Sequence, residues 1–302
     1  MNRLFFLAVS ALMVFLALVL PNHPSMLKLS SLNEWPLELP VILLCMIAFG
    51  RHPWVVWTLA LVLVAVTFIK LADIGMFMAY DRTFNPILDM FLIDAGIGLL
   101  SESLGKTLTY LAIAACVVTT ILWLFAMVRS LRVWGAVKVP HTARVSAMVV
   151  ALGLSGWSAA DAGHHLGYWT FERSPPGSAW TSRVAIERAT EVRATAADLA
   201  QFVEAAQSDA FADAENLLGG LDGHDVVFIY IESYGRASFD NPLYAPTHVK
   251  TLQTNEQAIA DAGFAMRSGW LTSPTAGGQS WLAHGTLASG LWTSDNGRYT
   301  AM

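Results

Sequence analysis

Charged side chains are scarce in this chain. Lys, Arg, Asp and Glu make up 14% of its 302 residues, against about 25% in an ordinary soluble domain. That shortage, with 55% hydrophobic residues and a mean hydropathy of +0.49, excludes intrinsic disorder and a conventional soluble globule. Basic residues are in deficit too: a net charge of −5 and a pI near 5.9 leave no basic face for nucleic acid. Cysteine is nearly absent. Cys45 and Cys116 both fall inside apolar runs, so neither a disulfide framework nor a thiolate metal site is expected. What remains is a membrane protein, wholly or in part.

The charge that is present is unevenly spread. Residues 1–160 hold ten Lys/Arg against seven Asp/Glu, a balance of +3, whereas residues 161–302 hold eight against sixteen, a balance of −8. The first part is apolar and the second reads as water-soluble, which places a boundary near Asp161. The expected organisation is a transmembrane domain over 1–160, a juxtamembrane connector and helical stalk over 161–223, and an α/β domain beginning at 224 and running to 302.

Five apolar stretches approach the thickness of the bilayer's hydrocarbon core: Leu4–Leu20, Leu37–Phe49, Trp54–Ile69, Leu108–Val128 and Val145–Ala160. The expectation is about five transmembrane helices, the second short enough to need its flanks or a tilt. Arg3 ahead of the first stretch resembles a signal peptide, but Pro21-Asn22-His23-Pro24 stands where a small-residue cleavage site belongs, so the helix reads as uncleaved. The segment Arg129–Arg144 contains Arg129, Arg132, Lys138 and Arg144 and no acidic residue, which makes it cytoplasmic. Arg3 and Arg51 then fall on the same side, and everything after Asp161 on the outer side. Asp81–Leu100 is apolar but interrupted by Pro86, Asp89 and Asp94, and reads as an interfacial or re-entrant helix on the outer face. Lys70 and Asp73, at i and i+3, are read as a snorkelling interface pair, with a polar pair beneath a lipid-substrate site as the alternative. Asp161, His164 and His165 suit interfacial decoration better than a metal site.

An approximate helical period runs from Thr181 to Leu218 and stops at Gly219-Gly220, as a stalk. Val226–Ile231 is a continuous β-branched and aromatic run, the pattern of a strand buried on both faces in a parallel sheet. Glu232 follows it, at the carboxyl end where α/β folds collect ligands. A helix near Thr251–Ala262 and a second strand near Phe264–Leu271 complete a βαβ unit. After Gly277-Gly278-Gln279 comes Ser280, placed at the N-cap of a helix over Trp281–Ser289. A hydroxyl there either caps the helix or attacks phosphorus or sulfur while the helix end stabilises the oxyanion. His284, one turn on, either approaches the substrate or packs. Thr275 is a fallback nucleophile, and Arg236 and Arg267 are cations within reach of a phosphate.

The hydrophobic run followed by Glu232-Ser233-Tyr234, and then Gly277-Gly278-Gln279-Ser280-Trp281-Leu282-Ala283-His284-Gly285-Thr286-Leu287-Ala288-Ser289-Gly290, resembles the N-terminal part of the sulfatase branch of the alkaline-phosphatase superfamily. The likeness is to bacterial membrane-anchored members: lipoteichoic acid synthases and phosphoethanolamine or phosphoglycerol transferases. It implies about five transmembrane helices followed by an extracytoplasmic α/β catalytic domain at the cytoplasmic (inner) membrane. It implies Glu232 and Ser280 as ligands of a divalent metal, Zn or Mn, with Ser280 as nucleophile and His284 beside it. The substrate implied is a phosphate or sulfate ester, on a lipid headgroup or glycan, with membrane lipid as neighbour. The sulfatase signature has proline two residues after the nucleophile and arginine four after it, where this chain has Leu282 and His284, so formylglycine formation is not expected.

One carboxylate and one hydroxyl do not make a metal site, which takes three or more protein ligands. Only 78 residues follow His224, and the chain therefore reads as an N-terminal fragment, incomplete and inactive alone, or as a natural truncation. The expectation is a sulfatase-like hydrolase or phosphotransferase. The alternative is a catalytically incompetent membrane module that binds a lipid or protein partner.

Overall fold

The computed structural model describes residues 3–28, 35–172, 176–209, 211–231, 234–275 and 279–302. They divide into two compact units, Met1–Thr195 and Ala196–Met302.

The first unit is a helical membrane domain. Its helices are α1 (Arg3–Val19), α2 (Glu38–Phe49), α3 (Pro53–Tyr80), α4 (Phe91–Leu104), α5 (Lys106–Gly135), α6 (His141–His165) and the first half of α7 (Trp180–Ala206). Apolar runs without charge admit little else in lipid, because every backbone N–H and C=O must be satisfied within the segment. Pro53 opens α3 at a position where its missing N–H costs nothing. Among the described residues three helices are long and apolar enough to span: α3, α5 and α6, with 28, 30 and 25 residues. At about 1.5 Å per residue each exceeds the roughly 30 Å hydrocarbon core. Here the structure corrects the expected count of five. The helices at Arg3–Val19 and Glu38–Phe49 form, but with 17 and 12 residues they are shorter than that core.

The core of this unit joins α1, α2, α3 and α5 through Val14, Leu18, Met46, Ala60, Met127 and Leu131. Apolar side chains such as Leu111, Val118, Leu122 and Phe125 of α5 face outward instead. With lipid as solvent, close packing rather than water exclusion holds such helices together. A close backbone approach occurs at Gly50 and Gly135, where a Cβ added to Gly50 would lie 2.4 Å from the Cα of Gly135. A short backbone bridge, Ser178 N to Trp35 O and Leu37 N to Ser178 O, both 3.1 Å, sets the starts of α2 and α7 side by side. The Asp81–Leu100 segment departs from the expected single interfacial helix. Residues 81–90 are turns, α4 begins only at Phe91, and Asp89 is buried while Asp94 is exposed.

The second unit contains the end of α7 and α8 (Ala237–Asp240), α9 (Ala245–Asp261), α10 (Ser280–Ser289) and α11 (Asn296–Ala301). Leu282 of α10 is fully buried, and Gly285 lets Tyr299 of α11 approach to 3.2 Å of where a Cβ would stand. Arg298 ties α11 to α7: its guanidinium pairs with both carboxylate oxygens of Asp198 at 2.7 Å and lies 5.3 Å from the Phe202 ring centre. No strand occurs among the described residues, so the expected α/β domain is not seen. Val226–Ile231 and Phe264–Leu271 are irregular, and Val227 and Ile229 are about four-fifths exposed (78% and 80%). A strand gains its stability from neighbours on both edges, and these segments have none among the described residues.

Candidate functional site

Of the residues expected to carry chemistry, Glu232 and its neighbour Ser233 lie outside the described residues, as do Ala276, Gly277 and Gly278. Ser280 is half-buried and opens α10. It is the first helical residue and not the cap: Gln279 holds the cap position in a left-handed conformation (φ 51°, ψ 40°) without a side-chain capping bond. First-turn N–H groups of a helix have no intrahelical acceptor, and of those in α10 Leu282 N donates to Gln279 O at 3.0 Å. His284 follows one turn later, and its ring packs on Tyr230 with centres 4.2 Å apart. That contact joins the end of the 226–231 run to α10.

The remaining candidates are accounted for elsewhere. Thr275 N donates to Ser273 Oγ at 3.2 Å. Arg236 pairs with Asp240 at 2.8 Å and stacks over Trp270, and Arg267 is exposed. His164 Nδ1 accepts from Phe171 N, and Asp161 and His165 pair with each other at 3.3 Å. Among the described residues no group of three or more His, Cys, Asp and Glu is placed to hold a metal ion. Of the two ligands that the sulfatase likeness implies, only Ser280 lies among the described residues.

The densest polar chemistry is in the membrane domain. Lys70 and Asp73 are not a snorkelling pair, since both are fully buried. Lys70 Nζ donates to Leu18 O and Thr181 Oγ1, each at 2.8 Å, and to Ala17 O at 3.4 Å. Asp73 accepts from Phe84 N at 2.9 Å, Asn22 Nδ2 at 3.0 Å and Arg188 Nη2 at 3.4 Å. Arg188 also meets Glu191. Beside them Arg82 grips Asp89 with two bonds, and Asp89 accepts from Asn85 N at 2.7 Å. Asn85 reaches on to Thr195 at 2.9 Å. A connected set of ion pairs thus clamps the first half of α7 to the ends of α1 and α3.

Two more carboxylates hold the start of α7. Asp161 of α6 accepts from Ala179 N, and Glu38 of α2 accepts from Ser182 N, both at 2.8 Å. They satisfy N–H groups that a helix start leaves open, and their charge suits the positive end of the helix dipole. The segment read as a stalk without chemistry is therefore anchored by buried charge. The local signal that existed was the presence of Glu38, Asp73 and Asp161 in otherwise apolar helices, where each needs a partner. Their partners lie up to 144 residues away and leave no local trace. No family model, no curated protein and no solved structure matches the chain.

Proposed function

We propose that the protein is a membrane-anchored enzyme of the sulfatase type, a hydrolase or phosphotransferase for a phosphate or sulfate ester, with Ser280 as nucleophile. The observation that carries this reading is the position of Ser280. Ser280 is the first residue of α10, at a helix N-terminus, with His284 one turn on and in ring contact with the segment that leads to Glu232. In the reaction, Ser280 Oγ forms a bond to phosphorus or sulfur as it loses its proton. The ester P–O or S–O bond breaks, and the alcohol leaves with a proton. Water or an acceptor alcohol then displaces Ser280 and restores its hydroxyl. The positive end of the α10 dipole stabilises the extra negative charge. A Zn or Mn ion would need ligands beyond those grouped among the described residues, so no step is routed through one.

In this reading α3, α5 and α6 span the membrane, residues 129–144 face the cytoplasm, and the second unit faces outward at the bacterial inner membrane. The test is hydrolysis of p-nitrophenyl phosphate and p-nitrophenyl sulfate by the full-length protein with Mn²⁺ or Zn²⁺, against Ser280→Ala. Loss of turnover and of a covalent adduct in Ser280→Ala is expected. Equal turnover in the variant, or none in the full-length parent with either ester, overturns the reading. The alternative, a catalytically incompetent module that binds lipid or a protein partner, is favoured by one observation: the membrane domain carries the better-ordered polar network.

A further inference from the structure

A cavity of about 360 Å³ opens within the membrane domain between α1, α2, α3, α6 and α7. Its wall is mostly apolar, formed by residues such as Leu18, Ile42, Leu59, Leu63 and Val66. Val62 and Ile186 also line it and are 51% and 39% exposed, so the cavity is open beside them. Polar groups gather at the end formed by the starts of α2 and α7 and by α6.

Most of those groups are already engaged. Thr181 Oγ1 donates to Leu18 O and accepts from Lys70, and Ser155 Oγ donates to Ala151 O. Two are not. Glu38 Oε2 and Ser158 Oγ have no hydrogen-bond partner among the described residues, although the two residues are only 8% and 7% exposed. Lys70 does not serve Glu38, since its three donors go to Ala17, Leu18 and Thr181. A buried carboxylate oxygen with an unmade bond is unfavourable, and it accepts only from a donor.

We infer that this cavity binds one single-chain amphiphile whose head donates hydrogen bonds, a hydroxyl or an ammonium, to Glu38 and Ser158. An apolar wall with a few convergent polar groups is the usual build of a small-molecule site. The volume lies near the low end of the roughly 300–1,000 Å³ range of such pockets, which suits one chain rather than two. Phosphate, sulfate and carboxylate heads would set like charge against Glu38, and the nearby Lys70 ammonium, with its donors on Ala17, Leu18 and Thr181, has no hydrogen bond left to offer them. The inference does not rest on Ser280, and Ser280→Ala is expected to bind normally.

The experiment uses the full chain in lipid nanodiscs and a photoactivatable alkyl-diazirine alcohol, with the labelled peptides mapped. Saturable labelling is expected in peptides spanning residues 38–66 and 155–186. Decanol as competitor identifies a hydroxyl head and decylamine an ammonium head, and either supports the site. Decanoate is expected to compete at least tenfold more weakly. Glu38→Gln keeps the acceptor for Ser182 N and turns the other oxygen into a donor. It should narrow or reverse the preference for decanol over decanoate, a change that a purely structural Glu38 would not produce. Ala159→Phe fills the cavity, and Val62→Phe narrows its exposed mouth should the first variant misfold; each should cut labelling several-fold. Decanoate competing as well as decanol, an unchanged preference in Glu38→Gln, or full labelling in a folded filling variant overturns the inference.

Discussion

Truncating Asp73 separates two accounts of the Lys70–Asp73 pair that look identical along the chain. In the structure Asp73 is fully buried and accepts from Phe84 N, Asn22 Nδ2 and Arg188 Nη2. Asp73→Ala strands the Arg188 cation, itself 6% exposed, and two neutral donors. Removing one member of a buried ion pair costs about 3–5 kcal/mol. Glu191 keeps a contact with Arg188, which points to the lower half of that range. Asp73→Asn retains an acceptor for Phe84 N and should cost about 1.5–3 kcal/mol, the worth of hydrogen bonds to a charged group. A snorkelling pair at the interface would lose no more than about 1 kcal/mol. For a domain of this size about 1 kcal/mol shifts Tm by 2–4 °C, so Asp73→Ala should lower Tm by roughly 6–16 °C. Tryptophan fluorescence during thermal unfolding in one detergent reads this. Arg188→Met added to Asp73→Ala should recover part of the loss, through a coupling of about 0.5–3 kcal/mol. A Tm within about 4 °C of the parent, with additive single and double variants, would refute the buried clamp.

Gly135→Ala should destabilise the membrane domain by about 1–3 kcal/mol, because its Cβ would meet Gly50 O at 2.8 Å. Gly156→Ala, with nothing within 4 Å, should be neutral or stabilising in the same melt; equal effects of the two would contradict the close crossing. In a Cys45→Ser, Cys116→Ser background, an impermeant maleimide added to intact cells should label Asn255→Cys but reach Lys138→Cys only after permeabilisation. The opposite pattern would invert the proposed topology.

The helices of the membrane domain were legible because an uncharged run in lipid has so few alternatives. Their ends were less so. Pro53 and Gly50 mark boundaries on their own, but nothing local says that α1 stops at Val19 with 17 residues, or that Asp81–Leu100 breaks into turns before Phe91. The polar clamp was not legible at all. Arg188 and Glu191 sit among the charges of an amphipathic helix and read as its solvent face, whereas Arg188 packs against Asp73, 115 residues earlier. A lysine and an aspartate three apart carry the same pattern whether they reach for water or for each other's distant partners. Only the tertiary fold decides which.

The second unit shows the opposite failure, a strong local pattern without the context that would complete it. Val226–Ile231 has the composition of a strand buried on both faces, yet every residue in it is exposed. β-propensity describes fit to a pleated, half-covered surface, so without a neighbouring strand it specifies nothing. Helix α10, in contrast, depends on its own bonds and on Leu282, and it appears within one residue of where the Gly290 stop and the apolar spacing put it. That one residue bears on chemistry. A serine at the cap turns its hydroxyl onto the N–H groups two and three positions on, the bland role that competes with nucleophilic attack. With Gln279 at the cap, Ser280 is the first helical residue, one position past the one from which that bond is usually made.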